Sequence, residues 1–326
     1  MKHSFTIFFL LLFIFSKSQQ SHLQGNWILD KILYHNGNSL EINHPLFSTF
    51  IEYDFNGNIL EINNEKFKVI IDDSTIRTDY RRLNYKFENA YLIISEVGDD
   101  KNYYFLKKND FISKHPEFEP KETIFENRSV LVTNPLIQPE FHHRENFEEF
   151  IRKNIPSYSS TAATNNYFNS SFILTKENKI TDIQILQGIS KKFDGDYKNA
   201  LLNSEKLLKN PYGKDLLITQ TFNFFKLSAA LTNNDERQFS DITKKGYESF
   251  ANNEFPTAIT HYEKLLTMNL EPETLDRFKF RISQAYIYLG ISYLALGENS
   301  NACESFRKVG DKTNFRVRNY LITFYE

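Results

Sequence analysis

His142 and His143 stand just ahead of Glu145, Glu148 and Glu149, and imidazole with carboxylate is a donor set that borderline divalent metals accept. His142 and Glu149 are seven positions apart and share a helix face. A metal site also needs ligands converging from elsewhere, and no second cluster completes one. The paired acids Asp72-Asp73 and Asp99-Asp100 sit among turn residues. Carboxylates there satisfy local backbone donors, and neighbours on a turn do not face one substrate as a general acid–base pair must. The single cysteine, Cys303, excludes an intramolecular disulfide. Its place between Ala302 and Glu304 in a helical pattern reads as a small buried thiol. Gly-rich phosphate loops, His-Glu-x-x-His helices and Gly-x-Ser-x-Gly elbows are all missing from the sequence. The reading is therefore of a protein that is not an enzyme, with no catalytic residue, cofactor or metal.

The chemistry of binding is better represented. Gly246, Ala258 and Tyr262 are answered 44 positions later by Gly290, Ala302 and Phe306 (302 − 258 = 44), with the same internal spacing in both copies. Small residues let two helices cross closely, and the aromatic fills the groove beside them. With Tyr293 and Gly297 the second copy resembles a tetratricopeptide repeat; the first departs from that pattern at Ser249. The repeat period is about 34 residues, so the 44-residue offset places about ten more in the link, over Leu275–Ser283. The helices expected are Lys244–Asn252 with Phe255–Met268, then Phe280–Leu296 with Ser300–Val309, turning at Gly297-Glu298. Leu227–Leu231 and Phe315–Phe324 would be partial repeats or caps. The resemblance implies that residues 228–326 present a concave surface to another protein; a plain helical bundle is the alternative.

Residues 21–112 read as an antiparallel β-barrel. Short runs such as Phe50–Phe55, Ile59–Ile62, Phe67–Ile71, Tyr85–Phe87, Tyr91–Ile94 and Tyr103–Leu106 alternate apolar with polar residues between turn-forming clusters. Asn56-Gly57-Asn58 is the strongest hairpin signal, taken as a type I′ turn with positive φ at both central residues. Gly25-x-Trp27 in the opening strand resembles the bacterial lipocalin-like domains. That resemblance implies that Trp27 closes one end of the barrel, and it raises the alternative of a carrier for a small apolar ligand.

Residues 113–138, punctuated by Pro116, Pro120, Pro135 and Gln138-Pro139, read as a linker with one short strand at Ser129–Thr133. From 139 to 227 the expected order is helix, two strands, helix, strand. The helix phrase Phe147–Ile151, the strand phrases Ser171–Asp182 and Ile185–Gly188, and Asp194 ahead of a second helix at Asp196–Leu208 resemble the C-terminal domain of TonB. Departures are His142-His143 where relatives have paired glycines, and the reduced phrase Asn210-Pro211-Tyr212-Gly213. The resemblance implies a small α/β unit with a sheet edge that accepts an extended peptide. The last strand, through Leu217, Thr219 and Thr221, is the expected edge; an edge blunted by its own tail, in a unit that serves only as scaffold, is the alternative.

Residues 1–18 have the form of a secretory signal peptide: Lys2 and His3, an apolar run from Phe5 to Phe15, then Ser16-Lys17-Ser18 before Gln19. The chain is then exported, to the periplasm or beyond; the alternative is an uncleaved anchor, for which the apolar run is short. A net charge of −2 over 326 residues gives no basic footprint for nucleic acid. The combined expectation is a multidomain exported interaction protein with a protein partner in the cell envelope.

Overall fold

The computed structural model describes residues 22–63, 65–158, 167–223, 234–310 and 313–325. The leader and Leu227–Leu231 lie outside them. The chain divides between Glu119 and Pro120 into two units, and each has its own core.

Among the described residues of the first unit, alternation between turn-forming residues produces nine strands: β1 Gly25–Tyr34, β2 Glu52–Asn56, β3 Ile59–Ile62, β4 Glu65–Lys68, β5 Ile70–Ile71, β6 Thr75–Arg77, β7 Arg82–Glu88, β8 Tyr91–Glu96 and β9 Lys101–Lys107. They form one antiparallel sheet in the order β4-β3-β2-β1-β9-β8-β7-β6-β5. Its two edge strands are consecutive in sequence, joined by Val69 alone, so the sheet curls into a nearly closed barrel. The Val69 amide donates to the Asn58 carbonyl at 2.9 Å. The run expected as one strand at Phe67–Ile71 is thus two strands, parted where the chain passes from one sheet edge to the other.

The β2–β3 turn is also corrected. Asn56 pairs with Ile59, leaving Gly57 and Asn58 as the central residues, and of these only Gly57 has positive φ, at 60°. That is the pattern of a glycine-first type II′ turn rather than type I′. Inside, Phe55, Leu60, Ile76, Leu92 and Phe105 are each at most 1% exposed, and the Tyr53 ring stacks on Phe105 at 4.7 Å. The unit continues past residue 112 through α1 (Lys108–Lys114) and a 3-10 turn at Pro116–Phe118. Phe111 and Phe118 are fully buried, which holds this segment to the unit and moves its end from 112 to 119.

The second unit starts with a hairpin where a linker with one short strand at Ser129–Thr133 was expected; that strand is present as the second of the hairpin. β10 (Lys121–Phe125) and β11 (Arg128–Val132) pair in register around Glu126-Asn127, whose φ values of 46° and 66° make a type I′ turn. Then come β12 (Glu140–Phe141), α2 (Phe147–Lys153), β13 (Tyr167–Leu174), β14 (Ile180–Gln187), α3 (Lys191–Ser204), β15 (Leu208–Lys209) and β16 (Leu216–Asn223). Five strands form a sheet in the order β10-β11-β16-β13-β14. Its helix-side core gathers Ile151, Phe168, Phe172, Phe193, Tyr197, Leu201 and Phe222.

Asp194 lies inside α3 rather than ahead of it. The Ser190 hydroxyl accepts from the Phe193 amide as N-cap, and an Asp194 oxygen accepts from the Ile189 amide at 3.1 Å. β16 is not an edge strand. β13 covers one side along its length, and β11 covers the start of the other at Leu216 and Leu217. The Thr133 amide donates to the Leu217 carbonyl. Thr219 and Thr221 lie beyond the last β11 pairing, with exposed side chains.

The described residues from 234 onwards form helices: α4 Asn234–Ala251, α5 Phe255–Leu266, α6 Pro272–Ala295, α7 Asn299–Lys308 and α8 Phe315–Phe324. Pro256 near the start of α5, Pro272 at the start of α6 and Gly297 at φ 76° after α6 mark boundaries in the usual way. α6 begins eight residues before Phe280 (280 − 272 = 8), so the extra length between the two copies is helix.

Candidate interaction surface

The repeated phrase places a glycine against a ring twice. A Cβ on Gly246 of α4 would lie 2.8 Å from Cε1 of Tyr262 on α5, and one on Gly290 of α6 would lie 2.6 Å from Cε1 of Phe306 on α7. Both distances are too short for a side chain, so the hydrogen of glycine is what lets each ring lie on the facing backbone. Ala258 and Ala302 are fully buried in the same crossings.

Each ring also has a second aromatic neighbour from the next helix along. Tyr288 of α6 lies 5.9 Å from Tyr262 at 26°, and Tyr320 of α8 lies 4.9 Å from Phe306 at 10°. The layer is thus glycine, ring, ring, made once per hairpin. Sequence reading missed Tyr288 and Tyr320 because they stand 32 apart (320 − 288), off the 44-residue offset that reveals the other positions.

Tyr293 of α6 donates its hydroxyl to Glu263 of α5, tying one hairpin to the next. Burial pushes the Tyr293 hydroxyl up, and the Glu263 carboxylate adds to the shift. Burial also raises the Tyr262 hydroxyl, which has no hydrogen-bond partner among the described residues. At the helix starts, the fully buried Glu236 of α4 pairs with Arg277 of α6.

On the outside of this core stand Tyr247 of α4 and Phe280 of α6, each 52% exposed. Tyr247 leans on Tyr288 with ring centroids 5.7 Å apart. An open cleft of about 510 Å³ is lined by Asn299, Ser300, Cys303, Glu304, Arg307 and Tyr325. Cys303 itself is buried.

In the first unit, Gly25 takes φ 94° and Trp27 is 4% exposed. The indole N–H donates to the Leu23 carbonyl at 2.7 Å, and the Lys107 ammonium sits 4.2 Å from the ring centroid while donating to the Gln24 carbonyl. Burial lowers the Lys107 pKa. These contacts fix the indole edge and face within the buried core of the unit.

A polar cluster on the same unit went unread in the sequence. Asp30 lies at the β1 register shift between Leu29 and Lys31, and His115, Lys114 and Tyr91 meet its carboxylate at 2.8, 2.7 and 2.9 Å. Burial alone would raise the Asp30 pKa; the bonds from His115, Lys114 and Tyr91, with the Lys114 charge, hold it well below the usual carboxylate range. The residues are up to 85 positions apart, which is why no local pattern announces them. The arrangement ties the end of α1 to β1.

His142 touches Glu140 at 3.2 Å on the surface, and the His143 ring lies 5.1 Å from Phe150. Among the described residues, no group of three or more His, Cys, Asp or Glu side chains is placed to hold a metal ion, and no helix is long and apolar enough to cross a membrane. No family model, curated protein or solved structure matches the chain.

Proposed function

We propose that this is an exported, non-catalytic adaptor that binds a protein partner of the cell envelope through its helical hairpins. The observation that carries the reading is the twice-built layer of Gly246 under Tyr262 and Tyr288, and Gly290 under Phe306 and Tyr320. A layer repeated with the same parts supports the tetratricopeptide resemblance of residues 228–326 over an ordinary bundle. Proteins of that kind stack hairpins into a surface that receives another chain. The exposed aromatics Tyr247 and Phe280 are the side chains best suited to anchor such a partner, since buried aromatics dominate the energy of binding. Export rests on the leader-like residues 1–18.

The order α2, β13, β14, α3, β16 supports the TonB-like reading of the middle segment. Its peptide-accepting edge is reduced to the stretch of β16 at Thr219 and Thr221, past the last pairing with β11. Gly25 and Trp27 support a lipocalin-like reading of the barrel. The carrier alternative draws no support from its interior: Leu60, Ile76, Leu92 and Phe105 are 0% exposed, which leaves no water-sized space against them.

The test is crosslinked capture from the cell envelope with the wild-type protein and with Tyr247→Glu and Phe280→Glu. A protein captured by the wild type and lost from either variant supports the reading. Capture that neither substitution alters removes the helical surface from it.

A further inference from the structure

We propose that the β10 edge is a self-association surface, on which a second copy of this chain adds its own β10 antiparallel to form one continuous sheet. The two edges of the five-stranded sheet differ. β14 is irregular: two register shifts interrupt its pairing with β13, and Asp182 within it has φ 52°. Kinks of this kind hinder the docking of another strand. β10 has none of this. Its pairing with β11 is unbroken from Lys121 to Phe125.

The type I′ turn fixes which backbone groups face outward. In a two-residue hairpin the residues flanking the turn exchange hydrogen bonds, and the pattern alternates from there. Phe125, Thr123 and Lys121 therefore bond to β11, while the N–H and C=O of Glu122 and Ile124 point to the side on which no strand pairs among the described residues. Beside them the Ile124 side chain is 71% exposed. A β-branched apolar residue on an unkinked outer strand is the arrangement that folded proteins usually avoid.

The charge pattern of β10 favours itself as occupant. With the two-fold axis at Thr123, Glu122 faces Ile124 of the second copy, and Ile124 faces Glu122 of the second copy. On the other face Lys121 meets Phe125 of the second copy, a cation over an aromatic ring, and the threonines meet each other. No like charges stand directly opposite, which is the pairing that destabilises a sheet. Glu122 already has the Lys214 ammonium as counter-ion. With the outward groups of two residues per copy, the contact is below the area of a standard interface, so the dimer is weak and concentration-dependent.

The experiment is sedimentation velocity on the purified protein, from micromolar to near-millimolar concentration, for the wild type and three variants. Ile124→Pro removes an outward amide and leaves the β11 ladder whole; Thr123→Lys and Thr123→Glu place like charges on the two-fold axis. The wild type is expected to move towards dimer with rising concentration, and each variant to remain monomeric with unchanged circular dichroism. An equimolar mixture of Thr123→Lys with Thr123→Glu is expected to recover the dimer, a gain that a merely misfolded variant cannot give. A wild type that stays monomeric throughout leaves the edge to another occupant and overturns the proposal. So does a dimer that survives Ile124→Pro, or a mixture that stays monomeric.

Discussion

At the scale of single residues, two close contacts make the sharpest demands. The Phe306 ring lies against Gly290 and is stacked on Tyr320, so an added methyl group on Gly290 must displace a ring that is already packed. Overpacking of this kind costs about 1–3 kcal/mol and outweighs the ~1 kcal/mol that alanine gains over glycine in a helix. Gly290→Ala is expected to lower stability in chemical denaturation, and Phe306→Leu to relieve most of that loss when combined with it. Equal losses in both backgrounds would show that the ring is not the obstacle.

Asp30 makes a demand of another kind. Its folded pKa is depressed from an unfolded value of about 3.9, so its contribution is complete above that pH and is lost as the solution becomes more acid. Asp30→Asn is expected to cost about 3 kcal/mol near neutrality, the scale for breaking a buried pair. The variant should also lose less stability than the wild type between about pH 4 and pH 2. Parallel acid titrations of the two proteins would contradict this. Gly290 was legible in the sequence because its repeat has a fixed spacing. Asp30 was not, because its partners come from β8 and from the end of α1.

At the scale of elements, most of the helices and barrel strands follow from periodicity and turn residues, whereas α1 falls where barrel and linker were expected. The misreadings have specific causes. The β10–β11 hairpin was obscured by the prolines around it and by Glu126, a poor advertisement for a left-handed turn residue. The edge expected along β16 is shortened to its second half, because edge status depends on which strand arrives beside it, and β11 arrives at Leu216 and Leu217 from a segment read as a linker with one short strand.

The buried Glu236–Arg277 pair between α4 and α6 makes the element-scale prediction. Arg277→Met alone should cost about 3–5 kcal/mol, since it leaves the Glu236 carboxylate buried without its arginine. Glu236→Leu together with Arg277→Met should cost clearly less than that single change. Additive losses in the double-mutant cycle would mean that the pair contributes nothing as a pair.

At the scale of the whole molecule, composition and patterning were enough to anticipate a β region followed by helices. The boundary at Glu119 was displaced because Phe111 and Phe118 are buried in tertiary contacts that no local pattern encodes. The helix crossings are easier to read than any partner: a glycine against a ring has a fixed spacing in sequence, whereas the identity of a bound chain depends on surface shape. The proposed adaptor role rests on the repeated glycine–ring contacts and on the aromatic side chains left outside the helical core.

The most direct test is crosslinked capture from the native envelope with wild type and Tyr247→Glu side by side, with folding of both checked by circular dichroism. The account predicts a defined protein partner that the wild type retains and the folded variant loses. The same partner recovered equally by both, or recovered by a protein lacking residues 234–326, would contradict it.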